Sequence, residues 1–166
     1  DAKIFRTDKP FFIDKMPNNF RHIGLIKLIL PNAKIIDIRR SSMSACFSSY
    51  KQLFAEGQDF TYDLKDLATY YNNYVELMDH WNSILPGEIL SLNYEDLIND
   101  FEPSVDRILD YCNLPFEQSC LEFYKSKRSV KTPSAEQVRQ PIYRSGMDHW
   151  KNYEPFLDDL KNNLTY

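Results

Sequence analysis

Two arginines and two serines, Arg39-Arg40-Ser41-Ser42, join an apolar run to a helical pattern in "AKIIDIRRSSMSACFSSYKQLF", residues 33–54. Arginine offers forked donors that match phosphate and sulfate oxygens, in charge-assisted bonds roughly twice as strong as neutral ones. Beyond them, Met43, Phe47, Tyr50 and Phe54 recur at i, i+4, i+7 and i+11, which predicts one apolar face of a helix. Ser41, Ser44 and Ser48 fall on the other side, where a solvated face more often carries Lys, Glu or Gln. Small hydroxyls let a ligand approach closely and donate to its oxygens. Ser41 or Ser42 is the expected N-cap, its hydroxyl accepting from a first-turn amide. Arginines beside free amides and the positive end of a helix make an anion site. On the residues alone a plainer reading stays open, with the arginines paired to acidic neighbours and the serines simply solvated.

The elements that must hold these groups follow from periodicity. Ile35, Ile36 and Ile38 predict a buried strand over 34–39. Upstream, Phe11 to Asp14 predicts a short strand, and "FRHIGLIKLILPNA" a helix with Phe20, Ile23, Ile26 and Leu30 inward, stopped by Pro31-Asn32. Residues 11–39 are therefore expected to form a β-α-β unit with parallel strands. A long helix is predicted over 64–84, ended by Pro86-Gly87, and a third strand over 88–93 runs into a helix at Tyr94-Glu95-Asp96. Segments 102–113 and 116–124 are predicted helices, followed by a basic loop, "KSKRSVKTPSAEQVRQP". Strands alternating with helices give an α/β class with a parallel sheet flanked by helices. Ligands of such sheets bind at the carboxyl ends of the strands, where Lys15, Arg39, Arg40 and Tyr94 are expected.

Bulk properties set limits. At 166 residues the chain has the size of one domain with a real core. A net charge of −4 argues against a general nucleic-acid surface, so any basic function is local. Cys46, Cys112 and Cys120 are scattered without metal-type spacing and predict reduced, buried thiols, hence a cytoplasmic setting. No run is apolar enough to predict a membrane span.

In order, "DKMP", "PNAKIIDIRRSSMSACFSSY", "LSLNYEDL" and "VRQPIYRSGMDHWKNY" resemble the sulfotransferases that use 3′-phosphoadenosine 5′-phosphosulfate (PAPS), closest to the bacterial branch related to protein-tyrosine sulfotransferases. Most specific are the Arg-to-Ser spacing of eight after a strand and the Tyr-Glu-Asp closing the next strand. The resemblance implies a P-loop-NTPase-like fold and sulfuryl transfer from PAPS to a hydroxyl acceptor, with no metal. It places Arg40 and Ser48 on the cofactor's 3′-phosphate and Tyr94 at its adenine end. An aromatic ring can pack on a base there while its hydroxyl bonds; read alone, Tyr94 would be a core tyrosine. Lys15 matches the strand-end lysine that approaches the transferring group, where a point cation stabilises charge on the leaving phosphate. Tyr143, Arg144 and Ser145 match a loop closing over the cofactor, with Arg139 or Lys131 as substitutes.

Two departures stand out. The family's upstream loop that cradles the 5′-phosphosulfate has no counterpart here, which suggests a C-terminal portion of a sulfotransferase domain. The only glycines are Gly24, Gly57, Gly87 and Gly146. Where cytosolic sulfotransferases place a catalytic His, this chain has Pro17. The base is then expected upstream, as the glutamate of the tyrosine-sulfating branch is, with His22 a weak substitute. Two rivals share the fold. A nucleotide or small-molecule kinase would need Gly-Lys-Ser/Thr and a magnesium-binding Asp, neither evident. An inactive interaction module would use "YYNNYVELMDHW" as a binding face.

Overall fold

The computed structural model describes residues 10–54, 56–126, 136–142 and 147–166. Its organising element is a 21-residue helix, α3 (Leu64–Ile84). Leu64, Leu67, Ala68, Tyr71, Tyr74, Val75, Met78 and Trp81 recur every three or four residues, so they share one face. The first half of that face packs into a core with Cys46, Phe47, Leu157 and Leu160. The second half packs with Ile23, Ile35 and Ile89. One helix therefore closes two apolar clusters. It begins at Asp63, whose carboxylate accepts from the amides of Lys65 (2.8 Å) and Asp66 (3.0 Å). It stops where Gly87 takes a φ of +78°, a left-handed conformation that glycine adopts without Cβ strain.

Against α3 lies a two-stranded sheet, β1 (Ile35–Arg39) and β2 (Ile89–Asn93), paired in parallel with Ile35 opposite Ile89 and Arg39 opposite Asn93. Alternation sends Ile35, Asp37 and Arg39, with Ile89, Ser91 and Asn93, to one face. That face meets α3, where Tyr74 bonds Asp37 and Met78 clusters with Ile89. Leu90 and Leu92 on the opposite face are buried, whereas Ile36 and Ile38 beside them are 38% and 48% exposed.

The parallel sheet and the helices over 64–84 and after β2 agree with expectation. The strand at Phe11–Asp14 does not: residues 11–16 hold no regular structure. Phe11, Phe12 and Ile13 are 67%, 77% and 94% exposed. β-branched and aromatic residues favour a strand only when a neighbour accepts their backbone bonds and covers their side chains, and among the described residues no strand pairs with this stretch. The β-α-β unit over 11–39 is therefore replaced by β1, a crossover through α2 (Ser42–Tyr50) and α3, and β2. Upstream of β1, a 3₁₀ turn (Pro17–His22) leads into α1 (Ile23–Ile29). Ile23 is buried as expected while Leu30 stays exposed. Gly24 lets α1 approach α3, since a Cβ there would sit 2.8 Å from the ring of Trp81. That ring is held by its Nε1–H donating to the Phe20 carbonyl.

After β2 come α4 (Tyr94–Asn99) and α5 (Phe101–Cys112), the latter ending at Asn113 in a left-handed conformation. The helix predicted over 116–124 is two short 3₁₀ turns, Gln118–Cys120 and Phe123–Lys125. Further on, α6 (Asp158–Asn163) returns to α3, with Leu160 fully buried. Asn72 on α3 fastens it, donating to the Asn163 carbonyl (2.8 Å) and accepting from the Thr165 amide (3.1 Å). Among the described residues no helix is long and apolar enough to cross a membrane.

The cap of α3 is testable. Its two amide bonds hold the Asp63 carboxyl below the usual carboxylate range. A depressed folded pKa contributes stability above the unfolded value, and that contribution is lost as pH falls through the folded one. Asp63→Ala is expected to lower the thermal midpoint at pH 7, and its gap from the wild type should close as pH drops toward 3, measured by circular dichroism.

Candidate functional site

The site starts where β1 becomes α2 (Ser42–Tyr50). Alternation along a strand separates the two arginines. Arg39 points to the α3 face, its Nη2 3.4 Å from Asp37 Oδ2, its Nε 3.4 Å from the Tyr74 hydroxyl, and its guanidinium over the Tyr74 ring. Tyr74 also donates to Asp37 Oδ1 at 2.6 Å. Burial, then the bond to Asp37, raises the Tyr74 pKa, so the phenol stays a donor. Arg39, Asp37 and Tyr74 thus satisfy one another, and Arg39 is a structural residue. A polar cleft of about 350 Å³ lies on this side, lined by Arg39, Asp79, Ser91, Asn93, Ser104 and Arg107.

Arg40 takes the other direction. Its guanidinium carbon lies 5.4 Å from the centre of the Tyr94 ring, a cation–π distance. Tyr94 opens α4, directly after β2, so the ends of two neighbouring parallel strands bring this pair together. The peptide joining Arg40 to Ser41 is held on both sides. The Tyr71 hydroxyl donates to the Arg40 carbonyl at 2.8 Å, and the Ser41 amide donates to Glu95 Oε1 at 3.0 Å. Burial pushes the Tyr71 phenol up to about 12, leaving it protonated over the whole physiological range.

The serines divide differently from the expected pattern. Ser41 is the N-cap residue by position, yet its side chain makes no capping bond. Ser44, expected on the outer side, is buried and donates to the Met147 carbonyl, tying α2 to the chain beyond it. Ser48, one turn on, is exposed and keeps its hydroxyl at the surface. The inward face of α2 is Met43, Cys46 and Phe47 rather than a stripe reaching Phe54; the helix ends at Tyr50, which is exposed. The Cys46 thiol, raised to about 12 by burial, is a core group.

Lys15 stands exposed on the irregular stretch before Pro17, not at a strand end, and makes no hydrogen bond or ion pair with a described residue. Tyr143, Arg144, Ser145 and Lys131 lie outside the described residues. Arg139 donates to the Ser126 carbonyl. His22 and His80 are exposed, while His149 sits against Phe47 and Tyr153 with its Nδ1 2.8 Å from Lys51 Nζ. Sequence reasoning missed Tyr71 and Glu95. Tyr71 sits within an apolar helical stripe and Glu95 within a Tyr-Glu-Asp string, so neither stands out in the sequence.

The profile of the Sulfotransferase family matches residues 2–118. The chain belongs to the sulfotransferase family. It is also 40% identical over 154 residues to an uncharacterized protein of Aquifex aeolicus (strain VF5), an alignment that covers 91% of this chain and 20% of that protein. The chain therefore spans about a fifth of that relative's length. The family match contains Arg40, Ser48 and Tyr94 and ends before Tyr143.

The Arg39 network makes its own prediction. Tyr74→Phe removes the donor to a half-buried carboxylate and is expected to cost about 1–3 kcal/mol of stability in urea unfolding. Because Arg39 faces away from Tyr94, the same change should leave nucleotide affinity within about twofold, within the ±0.5 kcal/mol typical of changes away from a site.

Proposed function

We propose that this sulfotransferase-family chain binds PAPS at the joined ends of β1 and β2 and takes part in sulfuryl transfer to a hydroxyl acceptor. The observation that carries the reading is the half-buried Arg40 guanidinium beside the Tyr94 ring, at the carboxyl ends of adjacent parallel strands. Arg40 supplies a permanent positive charge with several donors for the 3′-phosphate, and Ser48 adds a surface hydroxyl one helical turn past Ser44. Tyr94 offers an aromatic face to the adenine. Exposed Lys15 is proposed as the point cation that neutralises charge on the leaving phosphate. Tyr143, Arg144 and Ser145 are proposed as further donors closing over the nucleotide.

PAPS supplies an activated sulfuryl group, and the protein's task is placement and charge stabilisation, much as in phosphoryl transfer. The chain's own share is to fix the nucleotide by its 3′-phosphate and base, so that the 5′ end is presented in one direction. A general base is also required to take the acceptor's proton. No described contact holds exposed His22 or His80 beside Arg40 or Tyr94, so the base is proposed to be neither of them.

Calorimetric titration of the full-length protein with adenosine 3′,5′-bisphosphate, against ADP, tests the reading. Preference for the bisphosphate is expected, with Arg40→Ala weakening it by roughly tenfold to a hundredfold, the worth of a charged hydrogen bond. Equal affinity for the two nucleotides, no binding of either, or indifference to Arg40→Ala would overturn it in favour of an inactive module.

A further inference from the structure

The bond between Arg40 and Ser41 is one rigid peptide plane, and both of its polar groups are taken. Its C=O accepts from Tyr71 on α3, and its N–H donates to Glu95 on α4. The two partners come from different helices downstream, 31 residues after Arg40 and 54 after Ser41. A peptide plane has one orientation that satisfies both, so the pair fixes ψ of Arg40 and φ of Ser41 together. Those two torsions decide where the Arg40 side chain leaves the strand and where α2 starts. Ser41 itself does not restrain the joint, since its hydroxyl makes no capping bond.

We propose that Tyr71 and Glu95 are positioning residues for 3′-phosphate recognition, clamping the Arg40–Ser41 peptide so that Arg40 is held beside Tyr94. The inference rests on the proposed nucleotide site and goes beyond it by naming what sets its selectivity. Glu95 is otherwise hard to explain at this place. Its carboxylate stands next to a site read as binding a phosphate, where a negative charge repels the ligand. A residue retained for charge alone would therefore lower affinity, and what its oxygen offers in return is the bond to the Ser41 amide. Tyr71 is suited to its half of the clamp, because its ring is anchored in the α3 core and its raised pKa keeps the proton on the donor.

The two effects have opposite signs, which makes them separable. Glu95→Gln removes the charge and keeps an acceptor oxygen; Glu95→Ala removes both. Three readouts are taken on the full-length protein: hydrogen exchange of the Ser41 amide, affinity for adenosine 3′,5′-bisphosphate, and affinity for adenosine 5′-phosphate, which lacks the 3′ group. Glu95→Gln is expected to protect the Ser41 amide and to bind the bisphosphate at least as tightly as the wild type. Glu95→Ala is expected to lose protection and to bind the bisphosphate about tenfold more weakly than Glu95→Gln, the order of one hydrogen bond, with adenosine 5′-phosphate unchanged. Tyr71→Phe should give the same selective loss, and combining it with Glu95→Ala should add little, because both act on one peptide. Equal affinities for Glu95→Ala and Glu95→Gln, a parallel fall for both nucleotides, or an unchanged Ser41 amide would overturn the clamp. If the wild type itself showed no preference for the 3′-phosphate, the sulfotransferase reading would fail and the clamp with it, whereas an overturned clamp in a selective wild type leaves that reading intact.

Discussion

The structure depends on the single apolar face of α3. A helix of 21 residues presents enough length for two separate clusters, and both are built on it. The half near Leu67 and Ala68 receives α2 and α6; the half near Met78 receives α1 and the sheet. Burial of such residues is worth about 1.5–3 kcal/mol for each large side chain, so neither cluster alone would hold the chain against its conformational entropy. The polar consequences come from the same face. Tyr71 and Tyr74 are apolar in their rings and polar at their tips, and the tips reach β1. The helix that fills the core thus also dictates how the strand meets the site.

That arrangement settles what a pair of adjacent arginines does. Neighbouring residues at a strand end face opposite sides, so Arg39 and Arg40 cannot serve one ligand in the same way. Arg39 falls under Tyr74 and is absorbed with Asp37 into an internal network, where burial of its charge is offset by the phenol and the carboxylate. Arg40 falls toward Tyr94. Of the two possibilities that the sequence left open, pairing to an acidic neighbour is realised at Arg39. Asp37 engages Arg39, and of the two arginines the proposed anion site therefore draws on Arg40 alone.

Much of the frame was legible because it rests on periodicity. The long helix at 64–84 and the strands around Ile35–Arg39 and Ile89–Asn93 carry unambiguous spacing and clear stops. Phe11–Asp14 carries the same local signal as a strand and is none, because strand formation needs a partner that composition cannot supply. Ser44 misled for a related reason. A buried serine looks like an exposed one until the carbonyl that takes its proton, here Met147, is known from distant chain. The Tyr71 and Glu95 contacts were invisible for the same cause, since a backbone amide or carbonyl is present at every residue and leaves no mark in the sequence.

The return of α6 to α3 has a consequence for the order in which the protein can be made. The cluster of Ile23, Met78 and Ile89 draws only on residues 20–89, so it can close while synthesis continues. The cluster around Leu67 and Ala68 waits for Leu157 and Leu160, and Asn72 waits for Asn163 and Thr165. Until those residues are made, that half of α3 is covered by Cys46 and Phe47 of α2 but not by Leu157 and Leu160. The docking of one short helix, α6, is thus the step that completes the second cluster.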